Sequence, residues 1–141
     1  DLARATLDGH IVLKRTLASA GHYPPIDVLN SVSRLMERVS ESKHKDAARE
    51  LRGLLAAHAD ARDLISIGAY VRGSDPLVDQ AIDLTPAINS FLRQRADDVT
   101  PFAEGIATLE SIVSGETSEA YIQEDIDDAY SATVEAPGEA A

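Results

Sequence analysis

Two consecutive prolines, Pro24 and Pro25, strongly limit the structures that this chain of 141 residues can adopt. Each proline fixes its own φ and removes a backbone donor, so the segment cannot continue a helix or run through a sheet centre. Tyr23 precedes the prolines, and an apolar run follows them and ends in "SVSRLM", which contains Arg34. The sequence therefore predicts a stiff proline elbow (residues 23–25) followed by a single cation.

The composition favours packed helices. The chain is 44% hydrophobic but only 4% aromatic, with no Trp and no Cys. A core of Leu, Ile, Val and Ala suits helix packing better than a β-sandwich. The absence of cysteine excludes disulfides and thiolate metal sites, and the four histidines do not share a metal-binding spacing with carboxylates. No run approaches the roughly 20 apolar residues of a membrane span, which predicts a soluble, intracellular protein.

Charge is distributed unevenly along the chain. The net charge of −11 argues against a nucleic-acid partner held by phosphate contacts. From Gly115 onward there are eight acidic residues and no Lys or Arg, and the apolar spacing is lost. Residues 115–141 are therefore predicted to form an acidic, disordered tail. The chain begins at Asp1 within a patterned segment, which suggests the later portion of a longer protein.

The first 39 residues are predicted to be a short α/β remnant. Ile11, Val12 and Leu13 form an apolar run typical of a strand. No partner strand is evident in the sequence, so we expect its sheet to lie outside this chain and the three residues to present an open apolar edge. Residues 16–20 predict one helical turn that ends at Gly21, and Asp8-Gly9 is typical of a turn.

Residues 40–114 predict a helical bundle of about four helices. One amphipathic helix follows Ser40, and Asp60 is a candidate cap for a second, although the two could run together. "GSDP" predicts a boundary, with Gly73 closing a helix, Asp75 capping the next and Pro76 in its first position. Pro86 should kink or split that helix. "TP" at 100–101 predicts the cap and start of the last one.

Two long stretches of this sequence resemble a known family. "LDGHIVLKRTLASAGHYPPIDVLNSVSRLM" resembles the end of the catalytic domain of hexameric rotary-type ATPases, most closely the flagellar and type III protein-export ATPase. "DLISIGAYVRGSDPLVDQAIDLTPAINSFLRQ" resembles the C-terminal helical domain of that export branch. The resemblance covers residues 1 to 114 and implies a RecA-like remnant in residues 1–39 and a helical domain in residues 40–114.

This family resemblance implies that the chain is part of an ATP hydrolase. Family members bind ATP and Mg²⁺ at subunit interfaces of a homohexamer, mainly through a phosphate-binding loop. The motif G-x-x-x-x-G-K-[ST] does not occur in these 141 residues, so the chain alone should be inactive. Arg34 falls at the family's arginine finger, which enters the neighbouring subunit's site and offsets charge on the γ-phosphate.

The proline elbow falls where relatives contact their own nucleotide. Tyr23 matches the aromatic residue that stacks on adenine, and Pro24 belongs to the stiff backbone that aims this ring. The residue-based alternatives are a core-packed Tyr23 and a surface or ion-paired Arg34. Asp27 is a candidate to orient Tyr23 or Arg34 through hydrogen bonds, but its residue type favours stabilisation of a turn.

The resemblance also implies partners. The loop from residue 68 to 76 corresponds to a tip that meets a central coiled-coil stalk, and export substrates, chaperones and a membrane export gate complete the apparatus. The chain would then be cytoplasmic and peripherally attached to the inner membrane. Two other functions stay open, a non-catalytic helical interaction module and a fragment of an F/V-type ATP synthase nucleotide-binding subunit. The sequence does not distinguish an ATPase of a flagellar export apparatus from one of an injectisome.

Overall fold

The computed structural model describes residues 7–116, and these residues are mainly helical. The predicted acidic tail lies outside the described residues, apart from its first two positions. The elements in chain order are β1 (Gly9–His10), α1 (Arg15–Ser19), β2 (Val32–Ser33), α2 (Met36–Val39), α3 (Ser42–Ser66), α4 (Pro76–Leu92) and α5 (Phe102–Ser114). The mainly α fold predicted from the sequence is confirmed.

Helices α3, α4 and α5 pack against one another in pairs and enclose the hydrophobic core. Leu54 of α3 and Ile112 of α5 are the largest fully buried side chains, at 1% and 0% exposed. Aliphatic residues three and four positions apart supply the rest of each buried face: Ala47, Leu51, Ala81, Leu84, Ala87, Ile88, Leu109 and Val113.

The prediction of about four helices was wrong for the bundle within residues 7–116, which has three long helices. Residues 42–66 form one continuous helix in which Asp60 is an exposed interior residue, not a cap. Apolar spacing continues through Asp60, with Ala61 buried one position later. Because burial of this face stabilises every turn, a residue with a preference for caps is accommodated in the interior.

Helix α4 begins as predicted. Asp75 is its N-cap, with Oδ1 accepting hydrogen bonds from the backbone N–H of Leu77 at 2.9 Å and of Val78 at 3.4 Å, and Pro76 is in the first turn. The helix continues through Pro86, so of the predicted kink or split the split does not occur. Leu84 and Ala87 are both buried, so the turns on either side of the proline pack against the same core.

Two other predicted helix ends are corrected by the structure. Helix α3 ends at Ser66, and Gly68, with a φ of 69°, makes the turn that follows. Gly73, which was predicted to close a helix, lies further along the connecting loop. Helix α5 begins after Pro101, and the hydroxyl of Thr100 accepts a hydrogen bond from Gln94 instead of capping it.

The N-terminal strand does find a partner within the chain, which corrects the expectation of a lone strand. β1 pairs antiparallel with β2, with Gly9 opposite Ser33 and His10 opposite Val32, and Leu13 forms a further bridge to Ile26. The pairing was hidden in the sequence because each strand is only two residues long. Ile11 and Leu13 are 71% and 68% exposed, so the predicted open apolar edge is confirmed at these two positions.

Gly9 is required by close approach of backbone, not by a turn as the sequence suggested. A Cβ at this position would lie 2.8 Å from the carbonyl oxygen of Val32. Only glycine therefore allows the two strands to pair at this register.

We expect Asp75→Ala to lower the free energy of unfolding by about 1 kcal/mol, because it removes the side-chain acceptor for two backbone donors. Asp60→Ala is the matched control. It replaces an exposed interior aspartate with a better helix former, so stability should stay unchanged or rise slightly. Urea unfolding followed by circular dichroism measures both, and equal losses in the two variants would contradict the capping assignment.

Candidate functional site

Arg34 lies at the end of a short backbone ladder that fixes its main chain. Its N–H donates to the carbonyl oxygen of Asp8 at 2.8 Å, next to the pairing of Gly9 with Ser33. Further along the ladder, the N–H of Asp27 donates to Val12 and the N–H of Lys14 donates to Pro25, each at 2.8 Å. The position of Arg34 is thus set by residues distant from it in sequence.

The Arg34 side chain is exposed, in contrast to its well-held backbone. Within residues 7–116 its guanidinium has no ion-pair or hydrogen-bond partner, whereas Arg49, Arg52 and Arg72 each have at least one. The ion-paired alternative therefore finds no support in this part of the chain, whereas exposure is equally what a plain surface arginine would show. A free guanidinium on a fixed backbone is suited to bind an anion supplied from outside.

Residues 27–31, here called the finger turn, are held by a compact polar network. Asp27 is 9% exposed, and its carboxylate accepts hydrogen bonds from the Asn30 backbone at 3.2 Å and the Asn30 side chain at 2.8 Å. Lys14 lies 3.3 Å from the same carboxylate. The hydrogen bonds from Asn30, with help from Lys14, lower the pKa of Asp27. The prediction that Asp27 stabilises a turn is confirmed.

The proline elbow lies against the chain that follows helix α4. The Tyr23 carbonyl accepts a 2.8 Å hydrogen bond from the N–H of Gln94, and the Tyr23–Pro24 peptide is cis. Tyr23 is 56% exposed, which argues against the core-packed alternative. An open cleft of about 830 Å³ runs alongside, lined by the elbow, Gly21, Asp98 and residues 93–96. An exposed aromatic face beside open space fits a planar base.

His22 immediately precedes the elbow and is buried, at 7% exposed. Burial, with a smaller contribution from the positive charge of Arg93, lowers the pKa of His22 below its ordinary value of 6.5. Burial therefore favours the neutral imidazole in the folded protein. Its backbone N–H donates to Leu17 at 2.9 Å, which joins the elbow to helix α1.

The loop between α3 and α4 (residues 67–75, the tip loop) is exposed but is braced against helix α4. The Tyr70 hydroxyl donates to the carboxylate of Asp79 at 2.9 Å, and the Gly73 N–H donates to the same carboxylate at 2.8 Å. Arg72 forms an ion pair with Asp83. Ile67 and Val71 remain 75% and 70% exposed, so the loop presents apolar side chains at the surface.

The structure places Tyr23 and Arg34 in different surroundings on one segment. Tyr23 lies by the end of α4, whereas Arg34 lies by Asp8. Sequence reasoning missed Arg52, whose side chain donates to carbonyl groups of the finger turn, and Gln94, whose backbone anchors Tyr23. Both lie too far from their partners in sequence for spacing to reveal the contacts.

Comparison with known proteins identifies the two parts of the chain separately. Residues 40–111 match the family model described as the T3SS EscN ATPase C-terminal domain, and residues 1–33 match the ATP synthase alpha/beta family, nucleotide-binding domain. Among curated relatives, the flagellum-specific ATP synthase of Bacillus subtilis is 45% identical over 82% of this chain. The type 3 secretion system ATPase of Pseudomonas syringae is 46% identical over 81%.

A solved structure agrees with these relatives. The assembled ATPase EscN in complex with its central stalk EscO, from the type III secretion system of enteropathogenic E. coli, superposes with a TM-score of 0.76 and 41% identity. That match covers 80% of this chain and 28% of the EscN chain. The chain likewise spans only 26% and 25% of the two curated relatives. By its match over residues 40–111, the chain belongs to the family of T3SS EscN ATPase C-terminal domains.

Proposed function

We propose that this chain is the C-terminal part of a hexameric ATPase that couples ATP hydrolysis to protein export through a flagellar or type III secretion apparatus. The observation that carries the proposal is Arg34, an exposed guanidinium without a partner in residues 7–116, held on a backbone fixed by the ladder to Asp8. Relatives from both kinds of apparatus match at nearly the same identity, so the proposal names the export activity that they share.

Arg34 is proposed as the catalytic residue of this chain, acting in the active site of the neighbouring subunit. Phosphoryl transfer spreads negative charge over the γ-phosphate oxygens, and a guanidinium entering from outside offsets that charge through two parallel hydrogen bonds. Arginine fingers in general contribute about 10³–10⁵ in rate, or roughly 4–7 kcal/mol of the barrier.

Tyr23 and Pro24 are proposed to contact the nucleotide of their own subunit. The exposed ring of Tyr23 lines the open cleft, and hydrogen bonds from Gln94 to Tyr23 and from Lys14 to Pro25 fix the elbow. A preorganised aromatic ring loses little entropy when a base stacks on it. ATP phosphates and Mg²⁺ would be held mainly by a phosphate-binding loop outside this sequence, so the isolated chain is proposed to lack hydrolysis.

The proposed division of the chain has three parts, a nucleotide-binding remnant in residues 1–39, a helical domain in 40–114 and an acidic tail in 115–141. The loop of residues 68–76, in which Val71 is 70% exposed, is the proposed contact for a central coiled-coil stalk. Export substrates, chaperones and a membrane export gate are the further proposed partners of a cytoplasmic, peripherally attached hexamer. Among the described residues, no helix is long and apolar enough to cross a membrane.

The two alternative functions have less support. A non-catalytic interaction module does not explain why residues 1–33 match a nucleotide-binding domain. An F/V-type ATP synthase subunit does not explain the match of residues 40–111 to the helical domain of export ATPases.

A mixed-ring experiment tests the proposed function. One full-length subunit carries Arg34→Ala, and the other carries a replaced phosphate-loop lysine; each should be nearly inactive alone. Rings assembled from equal amounts should regain part of the activity, because some interfaces then join an intact phosphate loop to an intact Arg34. No activity above that of the separate variants in mixed rings would contradict a finger that acts between subunits.

A further inference from the structure

Arg52 of helix α3 forms an unusual contact with the segment that leads to Arg34. Its Nη1 donates to the carbonyl oxygens of Val28 at 2.8 Å and Ser31 at 3.2 Å, and its Nη2 donates to Leu29 at 3.1 Å. A single side chain on the helical bundle thus binds three backbone groups that lie 21 to 24 residues earlier in the chain.

The chemistry of this contact requires a guanidinium. Three carbonyl oxygens of one tight turn point toward the same side chain. They are all acceptors, so the group that binds them must offer several N–H donors in a fixed geometry and no acceptor of its own. A lysine ammonium is a compact point charge on a flexible stem, and it cannot reproduce the two-nitrogen geometry. Arg49, three residues earlier on the same helix, forms only a local ion pair with Asp46 at 2.9 Å. The contact is therefore specific to position 52 and is not shared by the nearby Arg49.

The finger turn that Arg52 binds is also tied to the rest of the N-terminal segment. The Ser31 hydroxyl accepts from the N–H of Val12 at 3.0 Å and donates to the carbonyl of Asp27 at 2.7 Å. Three residues after Ser31, the backbone of Arg34 joins Asp8. The ladder thus positions the turn within its own segment, whereas Arg52 connects it directly to the helical bundle.

We propose that Arg52 is a positioning residue that fixes the finger turn to helix α3, and thereby sets where Arg34 enters the neighbouring site. This inference rests on the proposed function of Arg34. It makes α3 the element through which a displacement of the bundle reaches the finger. From Arg52 to Ser66, beside the tip loop, the helix extends about 21 Å at 1.5 Å per residue.

The test uses the full-length ATPase with Arg52→Ala, Arg52→Lys and the matched control Arg49→Ala. We expect Arg52→Ala to lower kcat by about ten- to hundredfold with KM for ATP within twofold, because a small misplacement of a catalytic group is costly whereas nucleotide binding is untouched. The kcat of Arg52→Lys should decrease by a similar factor, and Arg49→Ala should keep the unmutated kcat. If the decrease in kcat in the two Arg52 variants is no larger than that in Arg49→Ala, the proposal is overturned.

The double variant separates positioning from a general structural effect. If Arg52 acts through Arg34, then Arg34→Ala/Arg52→Ala should hydrolyse ATP no more slowly than Arg34→Ala alone. A further tenfold loss in the double variant would overturn the positioning role. An unaffected Arg34→Ala enzyme would instead contradict the proposed function, so the two failures are distinguishable.

Hydrogen–deuterium exchange gives a readout that does not depend on catalysis. In the assembled, nucleotide-free protein, Arg52→Ala should accelerate exchange in a peptide covering residues 28–36, and Arg49→Ala should not. Unchanged protection of that peptide in both Arg52 variants would show that Arg52 does not hold the turn. If Arg52→Ala does not assemble, Arg52→Lys carries both measurements.

Discussion

Under the proposed function, replacing Arg34 by alanine in the full-length protein is expected to lower kcat for ATP hydrolysis by about 10³-fold or more, with KM for ATP changed only a few-fold. The guanidinium would act on charge that develops in the transition state, so its loss raises the barrier more than it weakens substrate binding. The Arg34 side chain is exposed and has no ion-pair or hydrogen-bond partner within residues 7–116, so the substitution should not affect folding. Steady-state hydrolysis by assembled rings is the measurement.

Two variants sharpen this experiment. Arg34→Lys should recover little of the rate, because an ammonium lacks the planar fork that binds two phosphate oxygens. Arg38→Ala removes another exposed arginine four residues away and should leave kcat near the unmutated value. If Arg34→Ala rings hydrolyse ATP at the unmutated rate, Arg34 has no catalytic role.

Truncating Leu54 to alanine is expected to lower the free energy of unfolding by about 3 kcal/mol. The side chain is 1% exposed in the core between α3, α4 and α5, and a core Leu→Ala change in general costs about 2–5 kcal/mol through lost burial and a residual cavity. Denaturant unfolding of the 141-residue chain, followed by helical circular dichroism, measures the loss.

Leu64→Ala on the same helix is the matched control. Leu64 is 50% exposed beside the tip loop, so the same substitution should cost less than about 1 kcal/mol. A loss at Leu64 as large as that at Leu54 would show that the bundle core is not centred where the burial pattern places it.

The parts of the fold that depend on local signals were predictable. Asp75 and Pro76 mark the start of α4 because a cap and a fixed φ act within one helical turn. Aliphatic spacing along residues 42–66 likewise predicted an amphipathic helix. Thr100 and Asp60 carried the same kind of signal, but they do not cap helices. A capping side chain is a local preference of about 1 kcal/mol, which burial of a continuous apolar face outweighs at Asp60. At Thr100 the hydroxyl is hydrogen-bonded to Gln94 and the helix begins later, after Pro101.

The candidate site was predictable only in part. The stiff elbow and the single arginine are visible in the sequence, because proline restricts the backbone wherever it stands. The role of each residue came from family resemblance, since an exposed arginine has no distinguishing spacing. The two-residue strands that fix Arg34 gave no periodic signal, and the contact of Arg52 with the finger turn gave none either.

By itself, the sequence of this protein determined a mainly helical chain, the start of helix α4, a rigid bend at the prolines and the family to which these features belong. Tertiary structure alone decided that β1 pairs with β2, that Arg34 stays free of partners in residues 7–116, and that Arg52 reaches the finger turn. The physical reason is range. Propensity, capping and proline restraint act over a few residues, whereas strand pairing and side-chain-to-backbone contacts join residues more than 20 positions apart.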